Sequence, residues 1–157
     1  MAKRILVVED NEDSRFILVV ILRSLGYETT EAETGTQGVE KALSEEPDLI
    51  VMDLGLPGIS GIDAAKALKK NLITAHIPII AHSAWTPSQC KEEVLKAGMV
   101  DYLEKPASRE LIKATIEKLI LIQEGESDKE VRTISEQNKE NFLRRTTVHT
   151  ELISSST

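Results

Sequence analysis

Three acids, a hydroxyl and a lysine stand at the ends of short apolar runs. Ile5-Leu6-Val7-Val8 closes on Glu9-Asp10, and Leu49-Ile50-Val51-Met52 closes on Asp53. Ile77-Pro78-Ile79-Ile80-Ala81 closes on His82-Ser83, and Val100-Asp101-Tyr102-Leu103 on Glu104-Lys105-Pro106. Clustered carboxylates suit a hard divalent cation with oxygen ligands. An ammonium and a hydroxyl suit an anion. Cation-binding and anion-binding groups together point to phosphoryl chemistry, in which positioning and charge neutralisation carry most of the catalysis. The groups meet only if the runs are parallel strands of one sheet. Ligands in open α/β sheets bind at the carboxyl ends of the strands.

The segments between the runs read as helices. Asp13 to Leu25 is closed by Gly26, the usual helix stop. Thr36 to Glu45 carries Val39, Ala42 and Leu43 on one face, and Ile62 to Asn71 carries Ala64, Ala65 and Leu68. Thr86-Pro87 reads as a cap followed by proline at the first helical position, opening a helix that reaches about Ala97 and stops at Gly98. Ser108 opens a last helix with Leu111, Ile112, Ile116 and Leu119 along one face. The remaining run, Tyr27 to Ala32, bears no chemical group at its end. Five strand–helix repeats predict an α/β fold, a doubly wound five-stranded parallel sheet with helices on both faces, flavodoxin-like in class.

Bulk properties narrow the function classes. A chain of 157 residues has a single domain as its default and can bury a sizeable core. The net charge of −7 argues against direct nucleic-acid binding, which needs a basic face. One cysteine, Cys90, excludes an intrachain disulfide and offers no zinc spacing. No secretory signal is visible, and the apolar stretch Phe16 to Leu22 is far short of the roughly 20 residues of a membrane span. The expectation is a cytoplasmic protein with no membrane insertion. Glycines and prolines stop at Gly125, so the predicted domain is 1–123, followed by a polar tail, 124–157, disordered or partly helical. The first helix is apolar from Phe16 to Leu22 without a break. Its expected core side is Ile17, Leu18, Ile21 and Leu25. Val19 and Val20 lie about 200° from Ile17 and Leu18 respectively, so at least one valine should face outward and offer a homodimer or partner contact.

VVEDN at 7–11, VMDLGLPG at 51–58, HSA at 82–84 and YLEKP at 102–106 resemble the receiver domain of bacterial two-component response regulators, in the single-domain, chemotaxis-regulator-like form. The likeness covers about residues 3–122. It implies that Asp53 is the phosphoacceptor, served by a sensor histidine kinase or a histidine phosphotransfer protein. It implies Mg2+ held by Glu9, Asp10, Asp53 and the backbone carbonyl of Gly55, with Glu9 acting mostly through water. Lys105 pairs with the phosphoryl group, and the Lys105-Pro106 bond is cis. Ser83 and Tyr102 act as the switch, and small Ala84 leaves room for the phosphoryl group. Gly55 and Trp85 occupy the positions that tune phosphoryl lifetime; a glycine there holds no hydrolytic water, and the only tryptophan covers the site, which predicts an hours-long state. The likeness also places output on the fourth helix, fifth strand and fifth helix.

Glu12 and Asp13 read instead as helix N-terminal acids, His82 as packing or surface rather than as a ligand, and Cys90 as incidental. The function expected is a single-domain response regulator that catalyses only its own phosphorylation and dephosphorylation and signals through a phosphorylation-dependent protein contact. Its downstream target is not specified. A phosphorelay carrier that passes the group to a histidine phosphotransfer protein is the first alternative. An aspartyl-phosphate phosphatase would want a second acid two residues after the nucleophile, where this chain has Gly55. A kinase-independent interaction module would have no use for the full set of Glu9, Asp10, Asp53, Ser83 and Lys105.

Overall fold

A computed structural model describes residues 2–125. Strands and helices alternate along it: β1 (Arg4–Val8), α1 (Glu12–Ser24), β2 (Glu28–Ala32), α2 (Gly35–Glu45), β3 (Leu49–Asp53), α3 (Gly61–Lys70), β4 (Ile79–Ser83), α4 (Pro87–Lys96), β5 (Asp101–Glu104) and α5 (Arg109–Gly125). The five strands form one parallel sheet in the order β2-β1-β3-β4-β5. This is the doubly wound architecture expected from the alternation. The chain divides into two compact units, Met1–Ile116 and Glu117–Thr157. The second is described only through residue 125, the C-terminal part of α5, and the tail expected at 124–157 lies almost wholly outside the described residues.

Side-chain alternation along the strands divides the first unit's core into two layers. Leu6, Val8, Ile50, Met52, Ile79 and Ala81 join Ala42, Ala64, Leu68 and Val94 in one apolar cluster on the α2–α3–α4 side. Ile5, Val7, Leu49, Val51, Ile80 and Leu103 are equally buried and point the other way, toward α1 and the start of α5. Because β3 and β4 are buried on both faces, they read as unbroken apolar runs. Edge strand β2 is half-buried and polar, which is why its sequence carries the weakest strand signal.

Two expectations are corrected. β4 begins at Ile79, not Ile77, and continues through His82 and Ser83, because pairing with β3 and β5 persists: Asp53 lies opposite His82, and Ser83 opposite Glu104. In α1 the buried residues are Leu18, Val19 and Leu22. Ile17 is 59 % exposed, so it is not on the core side, whereas Val20, at 49 %, does face outward. The helix is rotated relative to the expected phase. Its N-cap is Asn11, whose side chain accepts from the Ser14 N–H at 2.8 Å, and Gly26 (φ 95°) follows its end.

Gly61 opens α3 against the end of β3. A Cβ there would lie 2.0 Å from the Asp53 carbonyl oxygen, and the Gly61 N–H donates to the Leu54 carbonyl at 3.1 Å. Backbone meets backbone here, so no side chain can give way. Gly61→Ala is expected to lose about 1–3 kcal/mol or more by forcing α3 off the strand, read as a lower denaturant midpoint. Unchanged stability would show that the contact is not tight.

Candidate functional site

The acids of the site are placed by the end of β1. The Glu9 N–H donates to the Ala32 carbonyl at 3.0 Å, prolonging the pairing with β2 by one residue. Arg15, reaching back from α1, donates to the Glu9 carbonyl at 2.9 Å, and to the carboxylates of Glu31 at 3.1 Å and Glu33 at 3.4 Å. This arginine ties α1 and the β2 loop to the acidic turn. Sequence reading missed it, because a helical arginine has no local signature when its partners lie on another strand. On the opposite side of the cleft, the Lys105 N–H donates to the Ser83 carbonyl at 2.8 Å, which carries the β4–β5 pairing out to the lysine. The Lys105-Pro106 peptide bond is cis.

These anchors bring Glu9, Asp10, Asp53 and Lys105 together. One carboxylate oxygen from each of the three acids lies within 4.8 Å of the others. Glu9 and Asp53 are buried, at 1 % and 8 % exposure, while Asp10 is exposed. The Lys105 ammonium touches Glu9 Oε1 and stands 3.6 Å from Asp53 Oδ2. The Gly55 N–H donates to Asp53 Oδ1 at 3.2 Å. Glu9 Oε2 is buried without a hydrogen-bond partner. Three acids with one orphaned buried oxygen are a donor set that fits a hard cation, and one ammonium does not balance three carboxylates.

Proton sharing follows from this geometry. Burial, and then the hydrogen bond and negative charge of Glu9, raise the Asp53 carboxyl to about 7, against the opposing pull of Lys105 and Gly55. Burial also disfavours the Glu9 anion, but hydrogen bonds from Asp53, Lys105 and Ser14 outweigh it and lower Glu9 to about 2. Lys105 sits closer to Glu9, which favours the anion on Glu9 and the protonated form on Asp53. His82, the register partner of Asp53, is buried; burial first and the Lys105 charge second lower it to about 4, so it is neutral. Its burial selects packing over the surface position that the sequence also leaves open.

Ser83, Trp85 and Tyr102 form a second network beside the first. The Trp85 N–H donates to Ser83 Oγ at 3.1 Å, and the Tyr102 hydroxyl donates to the Trp85 carbonyl. Burial and the neighbouring Cys90 thiol push the Tyr102 phenol up to about 12, so it stays a donor. Cys90 itself is buried, with its thiol on the Thr86 carbonyl at 3.4 Å. The thiol therefore packs at the base of the switch loop, a role its charged sequence neighbours did not signal. The Trp85 indole is half-exposed and lines a cleft of about 380 Å³ with Leu54, Ile62 and Lys66 among others. At Gly55 an added Cβ would meet nothing within 4 Å, so a side chain there is sterically free.

The pair Glu9–Asp53 makes a prediction for the metal-free protein. The folded state holds a proton on Asp53 up to about pH 7, while an aspartate in the unfolded chain releases it near 3.8. Folding therefore takes up a proton at Asp53 in that window, and the contribution of Asp53 to stability falls as pH rises from about 4 to 7, against an opposite contribution from His82, which burial keeps neutral above about 4. Asp53→Asn removes this slope. It should be more stable than wild type at pH 8 by on the order of 2 kcal/mol, with the difference shrinking toward pH 4. Denaturation curves across pH check this; a constant difference would contradict the shared proton.

Comparison with known proteins agrees with this geometry. Residues 5–117 match the family model of the response regulator receiver domain. The phosphate regulon transcriptional regulatory protein PhoB of Pseudomonas aeruginosa is 39 % identical over 131 residues, covering 83 % of this chain but only 56 % of that protein. The polar-differentiation response regulator DivK of Brucella ovis is 35 % identical over 108 residues, covering 69 % of this chain and 88 % of the relative. Among solved structures, the receiver domain of the sensor histidine kinase PA1611 from Pseudomonas aeruginosa superposes with a TM-score of 0.72 at 35 % identity, over 76 % of this chain and 98 % of that one. That domain holds a magnesium ion in its active-site cleft. The chemotaxis protein CheY4 of Vibrio cholerae gives 0.72 at 25 % identity, over 76 % and 99 %. The family match over most of the chain, on a sheet that gathers these acids at one end, places this protein in the response regulator receiver domain family of two-component signalling.

Proposed function

We propose that Asp53 accepts a phosphoryl group from a phosphohistidine of a sensor kinase or histidine phosphotransfer protein. The observation that carries this is the trio of carboxylates with oxygens within 4.8 Å of one another beside the Lys105 ammonium. An oxygen of Asp53 attacks phosphorus; the P–O bond of an acyl phosphate forms, the P–N bond to the donor imidazole breaks, and the electron pair returns to the imidazole nitrogen. Glu9, Asp10, Asp53 and the Gly55 carbonyl would hold Mg2+, which neutralises charge on the transferred oxygens. Asp53 must be ionised to attack. Lys105 then trades its place near the Asp53 carboxylate for a charge-assisted bond to the phosphoryl group.

The output is a shift between two conformations, driven only as far as the phosphoryl group interacts differently with each. Ser83 Oγ accepts from Trp85 in this structure, so its proton remains available to a phosphoryl oxygen. Movement of Ser83 would be felt at Trp85 and, through the Trp85 carbonyl, at Tyr102. Tyr102 lines a cavity of about 280 Å³ with Lys91, Val94, Leu95, Val100 and Asp101, between α4 and β5. We assign the phosphorylation-dependent protein contact to that surface.

Acetyl phosphate with magnesium should add one phosphoryl mass to the wild type and none to Asp53→Asn, and chelator should prevent the addition. Phosphorylation that survives either change would refute the assignment. Followed in time, the adduct should persist for hours, and Gly55→Asn, for which space exists, should shorten its life. No acceleration in that variant or in Trp85→Ala would remove the lifetime roles of both residues.

Lys105→Ala tests the link from chemistry to output. The variant should still be phosphorylated, while the change in Trp85 fluorescence that accompanies phosphorylation in the wild type should be largely lost. A wild-type fluorescence response in Lys105→Ala would separate the lysine from the switch.

A further inference from the structure

We propose that the outer face of α1 is a self-association surface on which a second copy of this chain packs its own α1 in antiparallel sense about a twofold axis. Phe16, Ile17 and Val20 are 67 %, 59 % and 49 % exposed. Their spacing puts them on one side of the helix, opposite the buried Leu18, Val19 and Leu22. A soluble helix ordinarily carries polar residues there. The three side chains expose on the order of 300 Å² of apolar surface per copy, within the range of the largest patch on an ordinary monomer, which is often functional.

The ends of the helix identify the occupant. Glu12 and Asp13 are exposed in the first turn, and Arg23 is exposed in the last. Arg109 adds a second cation at that end, where its Nε donates to Ser24 Oγ at 3.4 Å. The face is therefore acidic at one end, apolar in the middle and basic at the other. An antiparallel copy of itself satisfies all three parts. With the twofold between Ile17 and Val20, position 13 lies opposite 24 and position 16 opposite 21. The acids of each copy then meet Arg23 and Arg109 of the other, and Phe16 packs on Val20 and the aliphatic stem of Arg23. A parallel arrangement would set acids on acids and arginines on arginines. A twofold interface of this kind is self-complementary and closed. The apolar patch is smaller than the ~800 Å² per partner of a standard interface, so the dimer is weak.

Sedimentation equilibrium on the full chain, from about 10 μM to about 1 mM, reads this directly. The wild type should be a reversible monomer–dimer. Phe16→Glu should weaken association at least about tenfold, and Asp13→Arg alone, or Arg23→Glu with Arg109→Glu, about three- to tenfold. Combining Asp13→Arg with both arginine reversals should bring the Kd back to within about threefold of wild type, because the charge pattern is then inverted but still complementary. Circular dichroism confirms that each variant is folded. A monomer at every concentration overturns the proposal. So does association that ignores these substitutions, or a combined variant no better than its parents. If the variants alter only phosphoryl uptake from a histidine-bearing helical donor, the face belongs to the donor and not to a second copy.

Discussion

Two carboxylates forced together in a buried cleft are the constraint around which the first unit is arranged. Glu9 and Asp53 share a site with one ammonium, and the nearer of the two contacts takes its charge. What remains is an unpaired buried oxygen on Glu9 and a carboxyl on Asp53 that keeps its proton far above the ordinary carboxylate range. A fold optimised for stability alone would not retain this arrangement, because burying like charges costs free energy. Such local conflict is where ligand-dependent energy is held. A cation would lower it by neutralising the acids, and under the proposed phosphotransfer a phosphoryl group would give Lys105 and Ser83 a new partner.

The sheet makes that proximity unavoidable. The strand order reverses between β1 and β3, so the loops after these two strands turn to opposite faces and leave a crevice at their carboxyl ends. Glu9 and Asp10 follow one strand, and Asp53 ends the other. Arg15 fixes the Glu9 backbone from one side, and the packing of Gly61 on the Asp53 carbonyl fixes the other. Ser83 and Lys105 are held to each other by the last rung of the β4–β5 ladder. The site is therefore mounted on strand ends rather than on free loops, and small displacements of Ser83 reach Trp85 and Tyr102 through two hydrogen bonds.

The sequence made much of this legible. Fully buried parallel strands leave unbroken apolar runs, and each run announced the group at its end. Helix stops and the Thr86 cap were readable for the same reason: they are local, and the capping box with Gln89 is complete within four residues. What depended on tertiary partners was not readable. Arg15 acts on residues of another strand, and Gly61 is required by a carbonyl eight positions earlier. The phase of α1 was misjudged because every position from Phe16 to Leu22 is apolar, so periodicity could not say that Val19, and not Ile17, faces the core. Lys69, whose ammonium donates to the carbonyls of Ala75 and Ile77, has no local signature either, because both acceptors lie beyond the end of its helix.

Glu9 and Lys105 are already paired, and burial with the Glu9 charge then raises the Asp53 carboxyl, so that it holds its proton. Carbon-13 NMR of the side-chain carboxyls, titrated with pH in the absence and presence of magnesium, observes that proton directly. Without magnesium, the Asp53 resonance should titrate near pH 7 while Glu9 stays ionised far below it; with magnesium, the Asp53 transition should move down by more than about one pH unit as the cation displaces the proton. An Asp53 carboxyl that titrates near 4 in the metal-free protein, and is unmoved by magnesium, would contradict this arrangement.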